Sequence, residues 1–483
     1  MKTKIVKIMF MCLFIFAIFS VTKHVKADTF TEEVGTLTWE YEVSDGKAIN
    51  ARIKRDENTK IPVILNIPSS LGGYDVVSIG NGTRNILDAN MVFEGSESTL
   101  VGETIVFKVV LPDTVTTIND RAFSGLPYMY DIDFGNSVET IGNYAFLSCL
   151  NLRASKELVI PDTVTTIGDY AFSLDHNADN NVINPMGGGI FRWWSRYTAC
   201  KSVKIGSGVK TIGSNAFSYN GCLQSIEIPA NVTTIKSYAF ANTGIHSLEL
   251  PNVNVEIGDY AFYNCNNLDA VTIPANILKI GQYAFSACDD LTSITFEDRT
   301  SNVSLGAYVF SSCNSLENVT VRKMLTLSTG TFAECLNLKT VTFEDGVTTT
   351  GSNTFYNCSA LVDVTKTSSV TTIGYRSFYG CKSLTTEEYN DIVKNINIIE
   401  NEAFKECIGL TGKIVILPIV TNLGSGTFEK CSNIESVEVQ APINAIPYYC
   451  FENCIKLKNI QYSNKYLYIR KKYANIRFDG AVS

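Results

Sequence analysis

The sequence predicts an α/β repeat fold, a curved right-handed solenoid of mostly short parallel β-strands joined by turns, with few short helices. Two observations predict it. Phe recurs at positions 123, 146, 172, 217, 240, 262, 285, 310, 332, 355, 378, 404, 428 and 451, mostly 22 to 26 residues apart, giving fourteen copies of one unit. A fixed period of that length overrides the two or three globular domains that length alone would suggest. The text around each Phe also repeats. Five residues before it stands Ile or Leu in thirteen of fourteen copies, with Thr350 the exception, and the residue directly before it is small, usually Ala.

The stretch Val271-Thr-Ile273-Pro-Ala-Asn-Ile277-Leu-Lys-Ile280-Gly-Gln-Tyr-Ala284-Phe285-Ser-Ala-Cys288-Asp-Asp-Leu291-Thr-Ser-Ile294-Thr-Phe296 shows one whole unit. Its segment Leu291-x-x-Ile294-x-Phe296 recurs as Leu316-x-x-Val319-x-Val321 and Leu338-x-x-Val341-x-Phe343. It alternates apolar and polar residues and is rich in β-branched types, so it reads as a short strand. One such unit cannot bury its own apolar face. Successive strands must therefore stack in parallel and share a continuous core. The Leu-x-x-Leu-x-Leu strand pattern is that of leucine-rich repeats, so the expected solenoid is a leucine-rich-repeat solenoid.

The composite Ile-Pro-x-x-Val-Thr-x-Ile-Gly-x-x-Ala-Phe-x-x-Cys-x-x-Leu-x-x-Val-x-Ile resembles the BspA-like, or Treponema-type, leucine-rich repeat of secreted and surface proteins. The resemblance covers about residues 105 to 461 and implies surface adhesion, with host matrix or plasma proteins and other cells as partners. It implies no catalytic residues.

The chain opens with Lys2, Lys4 and Lys7, an apolar run from Ile8 to Val21, and Val25-Lys26-Ala27 before Asp28. This reads as a signal peptide, residues 1–27, cleaved after Ala27, because the apolar run falls short of the roughly 20 residues a bilayer requires. Cys12 lies inside the run and not at a cleavage position, which speaks against lipid attachment. No later segment reads as a membrane span, and there is no sortase motif near the C-terminus. The expected location is secreted, or held non-covalently at the cell surface.

Residues 28–104 keep faint echoes of the unit, as in Leu65-Asn-Ile-Pro68 and Val76-Val-Ser-Ile79-Gly80, and are expected to form an N-terminal cap over the open end of the array. The solenoid proper is expected over 105–461. Residues 462–483, within a basic, Tyr-rich tail that carries Tyr462, Tyr466, Tyr468 and Tyr473, are expected to cap the other end. The alternative for that tail is a contact with an acidic wall polymer. Thr385, with Glu388 three residues on, starts a run through Asn395 that departs from the strand pattern and reads as a capped helix.

Phe172 and Phe217 are 45 residues apart where one unit predicts about 23, so residues 173–199 form an insertion on the surface of the array. It carries Phe191, Arg192, Trp193, Trp194, Arg196 and Tyr197. Trp, Tyr and Arg dominate binding hot spots, and paired Trp rings also stack on sugars. Two readings stand side by side: these residues bind a partner, or they fold back on the solenoid flank. The second candidate surface is the row of polar strand positions on the concave sheet, Lys204, Glu227, Glu249, Thr272, Thr295, Thr320, Thr342 and Thr365. A single Thr there merely suits an exposed strand, whereas a continuous row is the usual partner surface of such arrays.

Removing the first 27 residues deletes five Lys and no acid, leaving 35 basic against 48 acidic residues. A surface so acidic argues against nucleic acid as a partner. Ten of the thirteen remaining Cys stand three residues after a repeat Phe, which predicts a ladder of buried free thiols, because side chains that all point the same way make poor disulfides. No metal and no cofactor is expected. Cys450-x-x-x-Cys454 is the one tight Cys pair by spacing, and His176 and His246 are the only His after residue 27, which leaves little for zinc or for a Ser or Cys nucleophile. His246 falls six residues after Phe240, a slot read as the one that holds Leu elsewhere.

A regular repeat offers no unique deep pocket of the kind enzymes use, so no enzymatic activity is expected. The expected function is adhesin-like binding of an extracellular protein or glycan. The alternatives are a structural spacer or self-associating surface-layer component and, more remotely, a secreted glycan-active enzyme.

Overall fold

The computed structural model describes residues 28–54, 61–83, 86, 106–126, 128–152, 156–174, 200–298, 303–323 and 325–462, together with the backbone of 477–480. These residues form a leucine-rich-repeat β-solenoid of about fourteen turns, with short parallel strands and, among the described residues, a single α-helix.

Each turn is wound around one Phe. The fourteen rings make an unbroken stack, from Phe123 on Phe146 at 5.1 Å between centroids to Phe428 on Phe451 at 5.5 Å. Nearly parallel neighbours such as Phe262 and Phe285, 6° apart, recur along the whole ladder. Burying one such ring contributes about 2 to 3 kcal/mol by taking its apolar surface out of water, and ring contacts of this kind add about 1 kcal/mol. The small residue before each Phe lets successive turns close up: Ala145, Ala216, Ala239, Ala261 and Ala284 are all fully buried.

The Ile-Gly of the repeat has a related cause. A Cβ on Gly213 would lie 2.3 Å from the carbonyl oxygen of Gly168 one turn earlier, so no side chain fits there.

The expected strand is present on most turns, as Ser202–Lys204, Ser225–Glu227, Ser247–Glu249, Ala270–Ile273, Ser293–Phe296, Asn318–Val321, Thr340–Phe343 and Asp363–Thr365. A second strand was not anticipated. The Ile that precedes Phe by five residues closes a segment of two to four residues, such as Thr140–Ile141, Thr166–Ile167, Thr211–Ile212 and Thr234–Ile235, and these pair in parallel within a thirteen-stranded sheet whose first strands are N-terminal to the repeats. Two residues show no detectable alternation, so sequence periodicity passes over them.

The register carries straight across the insertion. Ile167 pairs with Ile212, and Phe172 stacks on Phe217 at 5.2 Å and 6°. The additional residues between these turns therefore leave the stack undisturbed. Described structure stops at Leu174, whose N–H donates to the Ser218 carbonyl at 3.0 Å, and resumes at Cys200.

Ile245, not His246, fills the buried slot of the repeat Leu, while His246 is exposed. This turn is one residue shorter than its neighbours, and Gly244 lies against the Gly221 carbonyl where a Cβ would come within 2.2 Å. Thr350, the exception to the Ile/Leu rule, is also buried, and its hydroxyl accepts the Gly374 N–H at 3.0 Å.

At the N-terminal side the strands Thr29–Val34, Leu37–Ser44 and Lys47–Ile53 form an antiparallel meander over buried Trp39. The third strand joins the thirteen-stranded sheet through Ala51 and Ile79. At the other side Arg477–Gly480 adds in parallel to Asn459–Tyr462.

Candidate binding face

The longer strands place their apolar residues inward and present two outward positions each. The row read from the sequence is physically continuous over most of its length. Lys204 pairs with Glu227 and Glu227 with Glu249; Thr272 pairs with Thr295; Thr320 pairs with Thr342 and Thr342 with Thr365. All are exposed except half-buried Thr342. A break in the strand hydrogen bonding separates Ser293–Phe296 from Asn318–Val321, which belong to different sheets.

Two residues earlier on each strand lies a second outward row, Ser225, Ser247, Ala270, Ser293, Asn318 and Thr340, which the sequence reading left out although strand alternation implies it. Together the rows divide the face by chemistry. Lys204 and Glu227 form an exposed ion pair at 3.3 Å, with Glu249 beside them. From Ala270 to Thr342 the outward strand positions carry no charge: Ala270, Thr272, Ser293, Thr295, Asn318, Thr320, Thr340 and Thr342. Such a strip is shallow, rich in hydroxyls and free of long side chains that would have to be ordered on contact.

Beyond Asp363–Thr365 a helix, Thr386–Val393, takes the place of the next strand. Its N-cap is the expected one, with the Thr385 hydroxyl accepting the Glu388 N–H at 3.2 Å. The helix seals the strand edges on either side of it. The Glu388 carboxylate accepts the Val364 N–H at 2.7 Å, and the buried Tyr389 hydroxyl donates to the Val415 carbonyl at 3.3 Å. Burial pushes the Glu388 carboxyl above its usual range, with Asp363 and Asp391 adding to the effect.

At the opposite end, the outward positions of the strands Ile64–Asn66, Lys108–Val110, Asp131–Asp133 and Leu158–Val159 mix apolar and charged residues. Val63, Ile64, Phe107 and Val159 are exposed there, and Phe107 stacks on Tyr130 at 5.0 Å.

The other half of the predicted site, Phe191, Arg192, Trp193, Trp194, Arg196 and Tyr197, lies outside the described residues, as do residues 1–27. No group of three or more His, Cys, Asp or Glu suited to a metal ion occurs among the described residues, and no helix of theirs is long and apolar enough to cross a membrane.

The chain matches the model of the BspA type leucine rich repeat region over residues 102–191, 192–304, 299–411 and 388–475. That is a repeat family, and no catalytic family is indicated. No curated protein sequence matches the chain.

Among solved structures it is similar to a leucine-rich repeat protein from Bacteroides ovatus, with 20% identity, a TM-score of 0.58, and coverage of 94% of this chain and 100% of that one. It is also similar to a leucine rich cell surface protein from Faecalibacterium prausnitzii, with 24% identity, a TM-score of 0.41, and coverage of 94% and 99%. The first of these likenesses shows the shared fold. With the family match spanning nearly all of the described solenoid, this chain belongs to the BspA-type leucine-rich-repeat family.

Proposed function

We propose that the protein is exported, with its first 27 residues removed, and binds an extracellular protein or glycan without chemical turnover, in the manner of an adhesin. The observation that carries this reading is the uncharged run of outward strand positions from Ala270 to Thr342, in register within each of the two sheets it crosses and flanked by Glu227 and Glu249 on one side and Asp363 on the other. Its side chains are short and lose little rotamer freedom on contact, while their hydroxyls both donate and accept. A neutral peptide backbone or a neutral sugar chain meets those requirements, whereas an anionic polymer would be repelled by the flanking carboxylates.

The inserted residues Trp193 and Trp194 supply the aromatic anchor that the strip lacks. Host matrix and plasma proteins are the partner class in view, since a BspA-type repeat array is a surface on which proteins meet.

The test is binding of residues 28–483 to an array of matrix proteins, plasma proteins and neutral glycans, beside a variant with Trp193→Ala and Trp194→Ala. Loss of a hit in the variant assigns the anchor to the insertion, and a retained hit assigns it to the strip. Absence of any hit, with self-association at micromolar protein, overturns the reading in favour of a structural spacer.

A further inference from the structure

Three of the thirteen cysteines after residue 27 stand off the ladder: Cys200, Cys222 and Cys450. The ladder thiols share one environment. Each donates to the carbonyl of the Phe one turn earlier, at 3.0 to 3.4 Å. Cys450, directly before Phe451, is fully buried in the core.

Cys200 and Cys222 differ from all of these. Cys200 is the first described residue after the insertion and fills the slot of the repeat Leu. Its Sγ meets the Asn220 Nδ2 at 3.6 Å, and Asn220 stands where the next turn would carry its ladder cysteine. The Oδ1 of Asn220 is buried with no hydrogen-bond partner among the described residues, so the thiol-to-carbonyl pattern is broken at this turn.

The backbone brings the two cysteines together. The Gln224 N–H donates to the Lys201 carbonyl at 2.8 Å, and Ser202 pairs with Ser225, so Cys200 lies opposite Leu223 and one residue from Cys222 on the neighbouring turn. Neighbouring strands of the array are about 4.8 Å apart, a separation that a disulfide can span, and Cys222 is near enough to act electrostatically on the Cys200 thiol. A tight turn closed by the Leu223 N–H on the Asn220 carbonyl at 3.0 Å carries Cys222, with open space where a Cβ on Gly221 beside it would point. Cys222 is half-buried and can meet a solvent oxidant, whereas the ladder thiols cannot.

We propose that Cys200 and Cys222 form a disulfide that ties the exit of the 173–199 insertion to the next turn of the solenoid, while the ladder cysteines stay thiols. The reaction is a thiol–disulfide exchange with a small-molecule disulfide such as glutathione disulfide. The Cys222 thiolate attacks one sulfur and displaces a glutathione thiolate. The Cys200 thiolate then attacks the Cys222 sulfur of the mixed disulfide and displaces the second. Two cysteine thiols are oxidised, one glutathione disulfide is reduced to two glutathiones, and the two cysteine protons pass to the departing thiolates. The inference stands apart from the binding reading, since it depends only on the two turns that flank the insertion.

The test is to incubate folded residues 28–483 with glutathione disulfide, block the remaining thiols under denaturing conditions, and map the non-reduced peptides, with Cys222→Ser in parallel. The expected result is a peptide cross-linked between Cys200 and Cys222, blocked thiols at all ten ladder positions, and no cross-link in the variant. Recovery of Cys200 as a thiol while Cys222 carries glutathione would overturn the proposal. So would a cross-link between ladder cysteines in the folded wild-type protein.

Discussion

The thiol of Cys313 donates to the carbonyl of Phe285, one turn earlier, at 3.3 Å. That bond joins the two repeating core residues of the fold: the ring that fills the turn and the sulfur that satisfies the carbonyl left by the previous one. It accounts for Cys at this position, because a thiol is small and apolar enough for a fully buried slot yet still supplies a donor.

Replacing Cys313 with Ala therefore removes both the sulfur volume and the donor to Phe285. We expect a loss of about 1 to 3 kcal/mol, read as a lower urea midpoint. A loss below about 0.3 kcal/mol would mean that the bond and the packing at this slot contribute nothing.

The ladder also sets a pH dependence. Burial pushes the thiols of Cys149 and Cys335 up to about 12, against 9.0 for an exposed thiol. The folded state thus holds these protons more tightly than the unfolded chain. Their contribution is fully present below pH 9 and is lost as pH rises from there toward 12. Each thiol that ionises only in the unfolded chain removes about 1.4 kcal/mol per pH unit, so reduced protein should lose its urea midpoint steeply between about pH 9 and pH 10. Changing Cys149 and Cys335 to Ala should make that slope shallower, and an unchanged slope would count against buried thiols as its source.

Gly213→Ala should strain the turn after the insertion, since the new methyl would fall 2.3 Å from the Gly168 carbonyl oxygen. The backbone must move to accept it. Faster amide exchange at Tyr170, Phe172 and Phe217, together with a lower unfolding temperature, is the expected outcome; unaltered exchange would show that the two turns are not in the close contact described.

Thr385→Ala deletes the helix N-cap and should cost about 1 kcal/mol. Because Glu388 of the same helix accepts the Val364 N–H, the variant should also speed amide exchange at Val364. Exchange confined to the helix would show that the helix does not seal this strand edge.

The legible parts of this fold are those written as side-chain periods. Fourteen Phe, the Ile five residues before them and the Cys three after them predicted the stack, and the strand pattern predicted which positions face outward, from Lys204 to Thr365. The second strand of each turn escaped because Thr166–Ile167 and its equivalents are too short to alternate. Counting six residues from Phe240 puts His246 in the slot of the repeat Leu, but that turn is one residue short, which the spacing from Ile245 to Leu248 records, and Ile245 takes the slot. The row at Ser293, Asn318 and Thr340 was open to the same alternation argument that identified its neighbour at Thr295, Thr320 and Thr342.

The most direct test of the binding account is to measure the affinity of residues 28–483 for a partner found on the array after Thr295→Lys and Thr320→Lys are introduced together. Both positions are exposed, so folding should be unaffected. The account predicts an unchanged unfolding temperature and at least a tenfold loss of affinity, about 1.4 kcal/mol or more, because long charged side chains would stand in the middle of the uncharged strip. Full affinity in this variant, retained also with Trp193 and Trp194 changed to Ala, would contradict it.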